Sequence, residues 1–313
     1  MILIFSLITF VILLFLYPKY ISWQKKMKYG QHIRKEGPDL HNYKEGTPTS
    51  GGLLFTVAIS INSFLFFFVN SNPIFLIIGL SAFLFGFIGF LDDFISVLKK
   101  DSTGLKAYQK LILQLFFSLI IFLVIRYYNY NSEIIMPFTN LSIDLKFIYP
   151  IWVILFISSM SNATNLTDGL DGLSSGTFVI SSFFTVIAAY KLYNVDISII
   201  YLLILPVAAF MVYNIKPAKI FMGDSGSLAL GGILGSFAVY YSMEIFLIFT
   251  CFIFIIEFFS VVLQVLSFKI RKKRLFLMAP IHHHFELKKW SEERVVMFFW
   301  FINFLIGIFA VGG

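Results

Sequence analysis

Nine stretches of the chain run for fifteen residues or more without Asp, Glu, Lys or Arg, apart from a lone Glu257 in one of them. They are residues 1–18, 46–91, 111–125, 147–167, 172–190, 197–215, 225–243, 245–268 and 295–313. A helix that crosses a bilayer needs about 20 mainly apolar residues. The second stretch is long enough for two such helices and is interrupted by the turn signal Asn70-Ser71-Asn72-Pro73, so ten spans are expected. At about 20 residues each they occupy about two-thirds of the 313 residues and leave only loops between them. The expected architecture is therefore all-α, a polytopic membrane protein forming one domain over residues 1–313. A water-soluble enzyme is excluded, because charged residues make up 13% of the chain against about 25% in soluble domains.

Orientation follows from the basic residues, which concentrate in short cytoplasmic loops. Summed over alternate loops of a ten-span chain, Lys and Arg divide 21 to 3, the minority being Arg126, Lys146 and Lys191. Both termini are then extracytoplasmic, and the net charge of +7 is mainly a record of topology. The basic residues are spread thinly between apolar runs, so nucleic acid is not an expected partner. Residues 1–18 lack a basic segment ahead of the apolar run and read as an uncleaved first helix. A single cysteine, Cys251, excludes an intrachain disulfide and a cysteine metal site.

The remaining polar residues crowd into the five loops assigned to the cytoplasm. Lys44-Glu45-Gly46-Thr47-Pro48-Thr49-Ser50-Gly51-Gly52 is a Gly-rich turn before a helix, a place where free backbone N–H groups suit phosphate or sugar oxygens or simply cap the helix. Asp92-Asp93 is expected at the end of the third span. Adjacent helical residues point about 100° apart, so one of the pair is expected to meet a metal or proton while a lysine holds the other. Asn162 to Leu173 carries Asp168 and Asp171 with no basic residue to balance them, and lacks the closing Glu of an EF-hand loop; it reads as a polar pocket. Pro217 to Ser227 again sets a carboxylate, Asp224, and small residues before a helix, with Phe221 able to stack on a base. The last loop joins a basic run, Lys269 to Arg274, to His282-His283-His284-Phe285-Glu286. Beside hard carboxylate ligands, these imidazoles suit hydrogen bonding to phosphate or proton transfer more than metal binding. Carboxylates, lysines, a base-sized aromatic and histidines on one membrane face suit Mg²⁺-dependent phosphoryl transfer at the cytoplasmic surface.

The chain resembles the phospho-N-acetylmuramoyl-pentapeptide-transferase family over essentially its whole length. The resemblance rests on Gly46-Thr47-Pro48-Thr49, Asp92-Asp93, Asn165 to Leu173, Phe221-Met222-Gly223-Asp224 and Met278 to Glu286, the last being its most specific part. Ser50 departs from the family's usual Met. The resemblance implies ten helices in the bacterial inner membrane and transfer of phospho-N-acetylmuramoyl-pentapeptide from UDP-MurNAc-pentapeptide to undecaprenyl phosphate, giving lipid I and UMP. It implies Mg²⁺ on Asp224, catalytic roles for Asp92, Asp93, Lys110 and His282, and Phe221 stacked on uracil. Lys44, Gly169, Leu170, Asp171 and Asn214 would surround the nucleoside, Thr49, Asn165, Asp168 and Gly223 would line the adjoining pocket, and His283 would join His282 near phosphate or sugar. A homodimer would suit the family. Two rivals are a related polyprenyl-phosphate GlcNAc-1-phosphate transferase and an ion-coupled transporter; the latter would place its acids near mid-bilayer.

Overall fold

The computed structural model describes residues 1–27, 46–99, 104–129, 131–139 and 141–312. The helices among them are α1 (Ile2–Lys26), α2 (Gly52–Asn70), α3 (Pro73–Lys99), α4 (Ala107–Tyr128), α5 (Tyr149–Thr167), α6 (Leu173–Tyr193), α7 (Ile199–Asn214), α8 (Asp224–Tyr240), α9 (Leu247–Thr250), α10 (Phe252–Arg271), α11 (Ile281–Leu287) and α12 (Glu292–Gly312). Eight are long and apolar enough to cross a membrane: α1, α2, α3, α4, α6, α10, α12, and α5 taken with the 3₁₀ turn Lys146–Ile148 before it. Large apolar side chains stand exposed along the outer helices, among them Ile4, Ile8 and Phe15 on α1, Ile112 and Phe116 on α4, and Phe301 and Phe309 on α12. A surface of that kind belongs in lipid, and the chain is a multi-pass membrane protein.

Helices also form at the two remaining expected spans, but α7 and α8 have only 16 and 17 residues. At 1.5 Å per residue α8 is about 26 Å long, shorter than the roughly 30 Å hydrocarbon layer. Its surroundings explain why this is tolerated. Every residue of α8 from Ser225 to Val239 is buried, packed chiefly against α3 and α5 with α2 beside them, so protein rather than lipid sets its length.

Four local expectations change. The ninth span is broken at Cys251 between α9 and α10. Asn303 of α12 sits at the break, accepting the Ile253 N–H at 3.1 Å and donating to the Thr250 carbonyl at 3.3 Å, which replaces hydrogen bonds the helix loses in a medium without water. Residues Asn162 to Thr167, read as loop, are the last turns of α5. Their polar side chains bond back onto the helix: Asn162 donates to the Ser158 carbonyl and Thr167 to the Ala163 carbonyl. Asp92 and Asp93 lie inside α3, which continues to Lys99. The all-α expectation also missed a small antiparallel hairpin, β1 (Glu133–Ile135) with β2 (Ser142–Asp144), in which Ile134 faces Ile143.

Candidate active site

Gly89 sets the geometry. A Cβ at this position would lie 2.0 Å from the Asp224 carbonyl oxygen, so the backbone of α3 rests directly on the first residue of α8. One turn later Asp93 reaches over that helix end. Its Oδ1 accepts the Asp224 N–H at 3.1 Å and its Oδ2 the Ser225 N–H at 3.2 Å. These N–H groups have no partner within their own helix, and a carboxylate is favoured at the positive end of the helix dipole. Gly223 completes the corner with φ +72°, and a side chain there would meet Asp93 Oδ2 at 2.6 Å. Asp93→Ala is expected to remove about 2–3 kcal/mol by orphaning two buried donors. A fluorescence melt in detergent should show a clearly lowered midpoint for Asp93→Ala and a much smaller shift for Asp92→Ala; equal shifts would mean that Asp93 is not the brace.

Asp92 faces away from that contact. Its Oδ1 accepts the Leu105 N–H at 2.9 Å and pairs with Lys110 Nζ at 3.0 Å. Lys110, in the first turn of α4, also hydrogen-bonds Asp224 Oδ2, so one ammonium ties α3 to α8. The other Asp224 oxygen accepts from Asn165 Nδ2 at 2.7 Å, and that amide donates as well to Ser227 Oγ at 2.9 Å. The adjacent pair is thus divided as its angular separation suggests, but in an unexpected way: a lysine holds Asp92 and a helix N-terminus holds Asp93.

One oxygen from each of Asp92, Asp93 and Asp224 lies within 4.8 Å of the other two. Three carboxylate oxygens form a hard donor set, suited to Mg²⁺ or a similar cation and not to the soft metals that prefer sulfur. Asp168 and Asp171 stand outside this group. One turn from Lys110 and from Asn165 respectively, Gln114 and Asn162 exchange amide hydrogen bonds of 3.3 and 2.8 Å, fastening α4 to α5 beneath the cluster.

The Gly-rich turn before α2 docks on the segment preceding Asp224. Phe221 N–H donates to the Pro48 carbonyl, Gly51 N–H to the Phe221 carbonyl and Gly52 N–H to the Met222 carbonyl, each at 2.8 Å. Helix α1 supports the turn: Gln24 donates to the Thr49 carbonyl and Tyr17 to the Gly51 carbonyl. Phe221 itself is half-buried. Lys44 lies outside the described residues.

Two of the expected nucleoside residues are braces of the same region. Asn214 is buried, accepts from Gly172 N–H and Ser175 Oγ, and donates to the Ile220 carbonyl. Asp171 Oδ2 accepts the Ala218 N–H at 3.0 Å while its own N–H donates to Glu292 Oε1 at 2.8 Å. Glu292, which also pairs with Lys216 at 3.3 Å, was not among the sequence candidates; an acid in the first turn of a span looks like ordinary helix-end chemistry. Leu170 is buried in one apolar cluster with Leu173, Ile253 and Val295. Asp168 is half-buried at the end of α5, and Gly169 beside it is exposed.

The histidines separate. His283 is half-buried, with Nδ1 2.7 Å from Glu286 Oε2. His282 is fully buried, with Nδ1 3.1 Å from Glu257 Oε1 on α10.

The sequence model of Glycosyl transferase family 4 matches residues 74–242, from the start of α3 to just beyond α8. A phospho-N-acetylmuramoyl-pentapeptide-transferase of Petrotoga mobilis is 64% identical over 308 residues, 98% of this chain and 97% of its own length. Proteins of the same name from Fervidobacterium nodosum and Staphylococcus carnosus are 45% and 42% identical, over 96% and 99% of this chain and 94% and 98% of their own.

Proposed function

Because the chain belongs to the phospho-N-acetylmuramoyl-pentapeptide-transferase family, we propose that it transfers phospho-N-acetylmuramoyl-pentapeptide from UDP-MurNAc-pentapeptide to undecaprenyl phosphate at the Asp92, Asp93 and Asp224 cluster. The products are lipid I and UMP. The observation that carries this reading is the meeting of three carboxylates from α3 and α8 within 4.8 Å, bridged by Lys110.

Mg²⁺ suits the donor set, with Asp224 as its principal ligand, and when bound it neutralises the diphosphate and polarises the phosphorus under attack. The residues around it divide the remaining work. Asp92 orients the acceptor phosphate and takes its proton, since both oxygens of Asp93 are engaged by backbone N–H groups. An oxygen of undecaprenyl phosphate then forms a bond to the sugar-linked phosphorus as the bond from that phosphorus to the UMP oxygen breaks. Lys110 steadies the charge on the departing UMP phosphate. Phe221 stacks on uracil, Gly169 and Leu170 flank it together with Lys44, and Asp171 and Asn214 keep the Phe221 segment in place. Thr49, Asn165, Asp168 and Gly223 line the adjoining pocket, and His282 and His283 face phosphate or sugar. With α7 and α8 counted as spans, the single domain crosses the bacterial inner membrane ten times, termini outside, and the cluster opens to the cytoplasm, where the soluble donor is made.

Incubating the purified protein with UDP-MurNAc-pentapeptide, undecaprenyl phosphate and Mg²⁺ is expected to release UMP, and omitting the lipid or chelating the metal is expected to stop it. Equal release from UDP-N-acetylglucosamine, or release unaffected by a chelator, would overturn the donor or the metal assignment respectively. Exchange of labelled UMP into the donor without lipid would replace direct attack by a covalent phospho-enzyme.

A further inference from the structure

Glu257 lies in the second turn of α10, at the centre of the stretch 245–268 in which it is the one acid, and is fully buried. An ionised carboxylate within a span costs about 2.5–3.5 kcal/mol on insertion scales, so its retention calls for a partner. That partner comes from a different element. His282, the second residue of α11, places Nδ1 3.1 Å from Glu257 Oε1, and both side chains are essentially closed to solvent. A carboxylate only accepts, so Nδ1 carries the hydrogen of this bond and Nε2 faces the other way.

Among the described residues Nε2 has no hydrogen-bond partner, although it is buried. It lies against the turn after α5, where a Cβ on Gly169 would stand only 2.3 Å away. This turn connects the helix bearing Asn165, bonded to Asp224, with Gly172, bonded to Asn214. A buried ring nitrogen left without a hydrogen bond is unfavourable. A pair built only to hold α10 to α11 would gain nothing from leaving it so.

We propose that Glu257 is a positioning residue of the transfer reaction: it fixes the tautomer and the orientation of His282 so that Nε2 meets a polar group of the bound donor at the Gly169 turn. The proposal rests on the reading above that His282 and this turn face the donor.

The test is a double-mutant cycle on UMP release, with kcat and KM measured for Glu257→Leu, Glu257→Gln, His282→Ala and the Glu257→Leu/His282→Ala pair. At metal sites, loss of the carboxylate that orients a ligating histidine lowers activity about 10- to 100-fold, and an effect on that scale is expected here. Glu257→Leu is expected to lose that much. Glu257→Gln, which keeps an acceptor for Nδ1–H, should recover most of it, and Glu257→Leu should add less than a further twofold, roughly, once His282 is alanine. Near-normal kcat in Glu257→Leu, or losses that multiply in the pair, would overturn the proposal alone. Near-normal kcat in His282→Ala would overturn the placement of His282 as well. If the leucine variant melts early, the parent and Glu257→Gln carry the test by ¹⁵N-histidine NMR: a single Nδ1-protonated His282 tautomer is expected in both, and an Nε2-protonated or mixed His282 in the parent would overturn it.

Discussion

Replacing Asp224 by asparagine is expected to lower kcat for UMP release by about 10³-fold, the scale on which loss of one well-placed electrostatic group acts, while the melting midpoint stays near that of the parent. Asparagine keeps the shape and the oxygen that accepts from Asn165. The bonds from Asp93 go to the backbone N–H groups of residues 224 and 225, so the start of α8 remains capped. What disappears is the negative charge that pairs with Lys110 and that, in the proposed role, serves a divalent cation. The concentration of Mg²⁺ giving half-maximal rate should therefore rise. Turnover within tenfold of the parent at unchanged Mg²⁺ demand would remove Asp224 from the metal site.

Lys110→Met is expected to reduce kcat about 10²-fold and, in contrast to Asp224→Asn, to lower the half-saturating Mg²⁺ concentration. The ammonium lies between Asp92 and Asp224, whose nearest ligand oxygens are no more than 4.8 Å apart. At an effective dielectric constant of about 20, two unit charges at that distance repel by roughly 3 kcal/mol. Lys110 offsets this repulsion and competes with any added cation. Without it the carboxylates hold a divalent ion more tightly, yet the leaving phosphate loses its lysine. Rate measurements across a Mg²⁺ titration separate the two effects. A normal kcat would show that Lys110 only balances charge, and an unchanged Mg²⁺ midpoint would show that it does not share the cation's position.

Much of the candidate site is legible in the chain because its chemistry is out of place locally. Asp92-Asp93 and Asp224 adjoin apolar runs where acids are unfavourable, and Lys110 follows a polar stretch before another such run. Glu257 stands out for the same reason. The division of labour is not legible. Asp171 looks like a ligand contact in a polar loop, and Asn214 is implied as one only by the family resemblance, but each is occupied by backbone groups that become neighbours only when α5, α7 and the segment before α8 converge. Glu292 and Gln114 carried no signal, since an acid at a helix start and an amide within a helix are ordinary until their partners are known.

What the sequence determined by itself is where the chain is helical and that it lies in lipid, because the length of a charge-free run is a local property and the bilayer selects on length and polarity. The broken ninth span and the short α8 mark the edge of that rule, since protein neighbours there take over what lipid would otherwise require. Only the tertiary structure decided how the two adjacent aspartates divide, Asp93 onto the start of α8 and Asp92 onto Lys110. Asp93 and the N–H groups it binds are separated by more than 130 residues, and their meeting depends on the close approach of two helix backbones at Gly89, a distance that no local pattern of residues encodes.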